Sequence, residues 1–286
     1  MPYAAIMVDV GDDEASSGRI TLAAHLTARL RCRLIGVAAR MPRPIPRGDG
    51  DIVGGYPFPG GDITGADGVY QYQIEAIGKW LEQQSLRFRA IAAPIQRDIE
   101  WRSATDVPVD FVTAQARAAD LVVIAHGHSR QDSYRSLDSG AAVLNMGRPV
   151  LTVPSGVEAV QAERVVVAWK DAREARRAVR EALPLLRQAK EVLVIEASYE
   201  GAQSPAQKRI EDVSAYLARH GVTVATTRVE RIRTTAAAQL VDAARTWQAD
   251  LIVAGAYGHS RLGEWIFGGV TRELLRSSPI CCLFSH

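Results

Sequence analysis

Most of what would assign this chain quickly is missing from it. Three cysteines occur in 286 residues, Cys32, Cys281 and Cys282, at no spacing that suits a metal site or a disulfide framework. Cys281 and Cys282 stand side by side on a terminal strand pattern, which places them on opposite faces as small buried hydrophobes. No apolar run reaches the roughly 18–20 residues that a membrane span needs. The opening residues MPYAAIMVDVGDD turn acidic after a short apolar run and are read as carrying no signal peptide. A net charge of +2 and the lack of any standout basic run give no argument for a nucleic-acid groove, and none is expected. No Walker lysine, paired carboxylates or nucleophile–base set can be assembled, so no catalytic or metal residues are assigned. These absences leave a protein expected in a reducing cytoplasm, with 47% hydrophobic and 23% charged residues as in an ordinary globular chain.

What is present is a repeat. Ala119 to Arg130 reads ADLVVIAHGHSR, and Ala249 to Arg261 reads ADLIVAGAYGHSR. The period of about 130 residues is too long for a solenoid and suits a duplicated domain. Each copy opens on a continuous apolar strand, residues 5–10 and 165–169, followed by acidic residues and a helical stretch, about 14–31 and 172–189. Strands at 33–39 and 192–197 follow, and the copies close on PVLTV (149–153) and ICCLF (280–284). Apolar strands alternating with helices indicate a parallel sheet covered on both faces, hence two doubly wound α/β domains. The boundary falls near residue 158, giving domains 1–157 and 158–286. The copies differ at 41–68, where the first carries a proline- and glycine-rich insertion. There Tyr56 and Phe58 either cover a site or partner surface, or belong to a flexible excursion.

After the ADLIV strand come Gly255, Gly258 and Gly268 at G-x2-G-x9-G spacing, then a helical pattern ending at Ser278. Glycines between a strand and a helix N-terminus allow backbone amides to approach an anion. With the recurring GHSR tract and the shared order of elements, the chain resembles the universal stress protein family in a tandem arrangement covering essentially its whole length. The resemblance implies five-stranded domains of order 3-2-1-4-5, like the adenine nucleotide alpha hydrolases, related by a pseudo-twofold with their last strands paired. It also implies an adenine nucleotide, ATP first, held as a regulatory or stabilising ligand with at most slow hydrolysis. On this pattern Gly255, Gly258, Gly268 and Gly269 would supply backbone contacts to the phosphates, Trp169, Lys170 and Val270 would line the rest, and Tyr257, His259 and Thr271 count among the nucleotide-binding residues.

The chain departs from that pattern in several places. Gly269 stands at the family's serine/threonine position and removes a hydroxyl worth about 0.5–1.5 kcal/mol. Lys170 stands where binding members have an aspartate, with Asp171 one residue late; Gly11 is its counterpart in the first copy, between Asp9 and Asp12. In the first copy Ala125 replaces Gly255, Gly127 is matched to Gly258, and Asp138 and Ser139 fall opposite Gly268 and Gly269. That copy is expected to have lost the site. Trp169 is either a stacking face or core; His126, His128 and His259 are read as loop residues or nucleotide contacts. The alternative function is a non-nucleotide interaction or scaffold protein working through a sheet edge and the 41–68 segment. A homodimer is the expected assembly.

Overall fold

A computed structural model of the chain describes residues 2–46, 52–53, 66–127, 132–198, 204–231, 233–258 and 269–286. The first half runs β1 (Ala5–Asp9), α1 (Ser16–Leu30), β2 (Arg33–Ala39), β3 (Ile45–Pro46), β4 (Ile52–Val53), α2 (Ala66–Ala92), β5 (Ile99–Ala104), α3 (Pro108–Gln115), β6 (Leu121–Ala125), α4 (Ser139–Asn145) and β7 (Val150–Val153). The second runs β8 (Arg164–Trp169), α5 (Arg173–Glu181), α6 (Leu183–Leu186), β9 (Glu191–Ser198), α7 (Ser204–Arg219), β10 (Val224–Arg231), α8 (Ala236–Thr246), β11 (Leu251–Gly255), α9 (Gly269–Ser277) and β12 (Cys281–Ser285).

The large strands form one ten-stranded sheet, β10-β9-β8-β11-β12-β7-β6-β1-β2-β5, so each half has the expected 3-2-1-4-5 order. Strands are parallel within each half, and the halves join where β12 meets β7 antiparallel, Leu283 opposite Leu151. The strand ends that position a ligand in a doubly wound sheet therefore point to opposite sides in the two halves. The expected helix over 172–189 is two pieces, α5 and α6. The break falls at Ala182, two residues before Pro184, which lacks an N–H to continue the ladder. In the 41–68 insertion, β3 and β4 pair antiparallel and α2 begins at Ala66, whereas Tyr56 and Phe58 lie outside the described residues.

Continuous apolar strands bury both faces, and each face has a core that crosses the junction of the halves. One core packs Ile6, Val8, Val165 and Val167 against α1, α2, α5, α6 and α7. The other packs Met7, Val122, Ile252 and Phe284 against α3, α4, α8 and α9. Cys281 lies in the first core and Cys282 in the second, and burial pushes both thiols up to about 12. The aspartate of the repeated ADL tract has a structural task in both copies. Asp120 Oδ2 accepts from the Ala4 and Ala5 amides at 2.7 and 3.2 Å, and Asp250 Oδ2 from those of Gln161 and Ala162 at 2.6 and 2.9 Å.

Candidate functional site

In the first half the connection after β1 folds around a buried arginine. Arg19 is 1% exposed; its Nε donates to the Asp9 carbonyl at 2.9 Å, and its two Nη atoms reach Asp13 Oδ1 and Oδ2 at 3.1 and 2.9 Å. A side chain at Gly11 would place its Cβ 2.8 Å from Asp13 Oδ2, so Asp13 would have to move to admit one. Arg87 donates to Ser17 Oγ at 2.6 Å, while Arg40 pairs with Asp12 and lies 3.8 Å above the Trp80 ring. The end of β1 is thus occupied by the chain's own charges. Farther along this edge, Asp138 caps α4 by accepting from the Ala141 amide at 2.7 Å, and Ser139 Oγ donates to the Gly127 carbonyl at 2.6 Å.

Burial pushes the Asp9 carboxyl up to about 6; Arg19 pulls it back in part and Asp13 adds to the rise. Below about pH 4 the group is neutral in both folded and unfolded chains. Between about 4 and 6 only the folded chain keeps the proton, so stability falls as pH rises, and the cost persists above that window. Asp9→Asn is therefore expected to stabilise the protein at pH 7.5 by on the order of 1–3 kcal/mol and to gain almost nothing near pH 4. Thermal melts at the two pH values check this; an equal gain at both would show that Asp9 does not titrate there.

In the second half the corresponding connection is shorter: Lys170–Ala172 does the work of Val10–Ala15. Helix α5 starts early as a result and lies across β11 and β12. Gly255 is where the two elements meet. A Cβ there would stand 2.5 Å from the Ala175 amide nitrogen and 2.7 Å from the Glu174 carbonyl carbon. Glu174, 3% exposed, points its carboxylate under the next glycine, since a Cβ at Gly258 would stand 3.0 Å from Glu174 Oε2. Burial raises the Glu174 carboxyl, but the 2.7 Å hydrogen bond from Arg173 Nε, a backbone donor and the charges of Arg173 and His286 outweigh it. The group stays ionised, below its ordinary range.

The other residues expected at the site are spread out. Trp169 ends β8, half-buried against the core shared by α5 and α7, and Lys170 is exposed. Tyr257 has a left-handed backbone, φ 51°, and its amide donates to Thr271 Oγ1 at 3.2 Å; Thr271 is buried. Gly269 and Val270 open α9, and Val270 is exposed. His259 and Gly268 lie outside the described residues, as does His128.

The strand register also shifts one comparison between the halves. The amide after β6, on His126, bonds the Val153 carbonyl at 2.9 Å, as the amide of Ala256 bonds that of Ser285 at 2.8 Å. Gly127, φ 103°, therefore takes the left-handed place of Tyr257 rather than that of Gly258. The shared positive φ is what aligns the two turns; glycine adopts it freely and tyrosine with strain.

Sequence reasoning passed over two features: Glu174 beneath the glycine turn, and a cleft of about 470 Å³ between α5 and α7. The early start of α5 after Trp169 produces both. Among the described helices, none is long and apolar enough to cross a membrane.

Three solved structures share this fold over nearly the whole chain. A universal stress protein from Archaeoglobus fulgidus DSM 4304 matches with TM-score 0.69 and 14% identity, covering 98% of this chain and 95% of its own. A putative universal stress protein from Pseudomonas aeruginosa UCBPP-PA14 matches with TM-score 0.57 and 13% identity, covering 99% and 92%. A functionally unknown protein from Pseudomonas aeruginosa PAO1 has TM-score 0.55 at 13% identity, with the same two shares, 99% and 92%. A search of curated proteins gives no match. At sequence level, residues 161–285 match the model of the universal stress protein family. Residues 161–285 thus match a universal stress protein domain, and both halves of the chain have the 3-2-1-4-5 strand order.

Proposed function

We propose that this chain is a universal stress protein that acts as an interaction protein and does not hold a nucleoside triphosphate on its second glycine turn. Glu174 carries the reading. A phosphate oxygen over the Gly258 amide would stand within a few ångströms of an ionised, buried carboxylate. Two like charges about 4 Å apart repel by about 4 kcal/mol at an effective dielectric of about 20. Arg173 is already paired with Glu174, Nε to Oε1 at 2.7 Å. In the first half the charges of Arg19, Arg40, Asp12 and Asp13 fill the equivalent end of β1, which supports the same conclusion for that copy.

Adenine nucleotide binding in the second half, with ATP as the ligand, is the competing reading. It is favoured by the first turn of α9, where Val270 is exposed and nothing lies within 4 Å of a Cβ built on Gly269. One experiment separates the two. Native protein is purified and denatured, and the supernatant is assayed for nucleotide; millimolar Mg-ATP is then added in a thermal-shift assay. No released nucleotide and no shift are expected. Glu174→Gln is expected to bind ATP at least tenfold more tightly than the parent, as repulsion is relieved. Nucleotide carried through purification, or micromolar affinity in the parent chain, would establish the competing reading instead.

A further inference from the structure

We infer that the cleft between α5 and α7 is a binding site for a small aromatic monoanion, a planar apolar body bearing one carboxylate or sulfonate. The cleft has a structural origin. In the first half α1 packs directly on α2, and the Phe88 ring fills the space beside β2. It can do so because Gly36 lacks a Cβ, which would otherwise stand 2.8 Å from that ring. The register of β2 and β9 puts Val194 at the place of Gly36. With α5 drawn across to β11 and β12, a gap is left between it and α7. The remaining volume, about 470 Å³, is the size that encloses a small organic ligand.

The lining selects the chemistry. Trp169, Val179, Val213 and Tyr216 supply flat and apolar surface. The Trp169 indole nitrogen is out of solvent with no hydrogen-bond partner among the described residues, a donor waiting for an acceptor. Arg176, Arg180 and Arg209 line the cleft with Asp171 and Asp212. Arg176 pairs with Asp171, and Arg209 with Glu196 behind the cleft wall. Arg180 has no ion-pair partner among the described residues, so it is the cation available to an incoming anion. Guanidinium and indole groups only donate, so the ligand must bring acceptors. No residue of the Gly255–Gly258 turn lines this cleft, and the inference stands whether or not that turn takes a nucleotide.

The probe is 8-anilinonaphthalene-1-sulfonate, titrated into the native full-length chain by fluorescence and calorimetry, with 1-naphthoate as competitor. One probe per chain is expected, displaced by naphthoate and at least tenfold less by the neutral 1-naphthalenemethanol. Arg180→Glu changes an exposed helix residue and should leave the melting temperature unmoved while weakening the probe at least tenfold. Val213→Trp fills the cleft and should abolish binding; circular dichroism and the melt verify that it folds. No saturable binding to the parent chain, or binding that survives both substitutions in folded protein, overturns the inference. So does naphthalenemethanol binding as well as naphthoate, since the charge selection would then be absent.

Discussion

Arg19→Met is expected to destabilise the fold by about 3–5 kcal/mol, the usual cost of removing one partner from a buried charge cluster. Arg19 is 1% exposed and holds three things at once: the carbonyl that ends β1, the carboxylate of Asp13 and the field around Asp9. Without it, the buried Asp9 carboxyl and the Asp13 carboxylate are left close together without the cation they share. A loss of that size is a large share of the roughly 5–15 kcal/mol that separates folded from unfolded domains. Urea unfolding read by circular dichroism measures it. Two further variants show that charge, and not merely lost packing, is the cause. Arg19→Lys retains the charge without the two-pronged geometry and should lose less than Arg19→Met. Arg19→Met combined with Asp13→Asn should recover part of the loss, because neutral groups do not repel. A single substitution within about 1 kcal/mol of the parent would mean that water reaches this cluster and screens it.

The duplicated architecture was legible because its signals are local and strong. Continuous apolar runs in AIMVD, LVVIA, VVVAW and LIVAG mark strands buried on both faces, and their recurrence marks the copy. The antiparallel meeting of β7 and β12 came from the family resemblance, and the pairing of Leu151 with Leu283 agrees with it. The break at Ala182 was harder to see, because Leu183, Leu185 and Leu186 carry the apolar pattern straight across the proline. Glu174 left no local signal. It sits in the polar stretch KDAREARR and becomes buried only because α5 starts early and lies against a strand far along the chain. The cleft was equally invisible, since it depends on where α5 is drawn relative to α7 and on Val194 replacing Gly36. The glycines were seen, but residue type alone does not say whether the close neighbour is a ligand or a helix.

Gly255→Ala answers that question directly, and an expected loss of about 3 kcal/mol is the second large effect. The added Cβ would lie 2.5 Å from the Ala175 nitrogen and 2.7 Å from the Glu174 carbonyl carbon, and both belong to helix backbone. Backbone cannot rotate away as a side chain can, so α5 must shift as a unit and strain the packing of Ala175 and Ala178 beneath it. The first half shows what relieves the constraint. Ala125 occupies the same place at the end of β6, and the longer connection Val10–Ala15 delivers α1 later. Gly258→Ala tests a softer contact, the far end of the Glu174 side chain at 3.0 Å, and should cost less than half as much. The informative measurement is the melting temperature of both variants with no nucleotide present. If glycine at 255 served only to admit a ligand, its replacement would leave the empty protein as stable as the parent. A melt lowered at least twice as far by Gly255→Ala as by Gly258→Ala would assign the first glycine to helix packing.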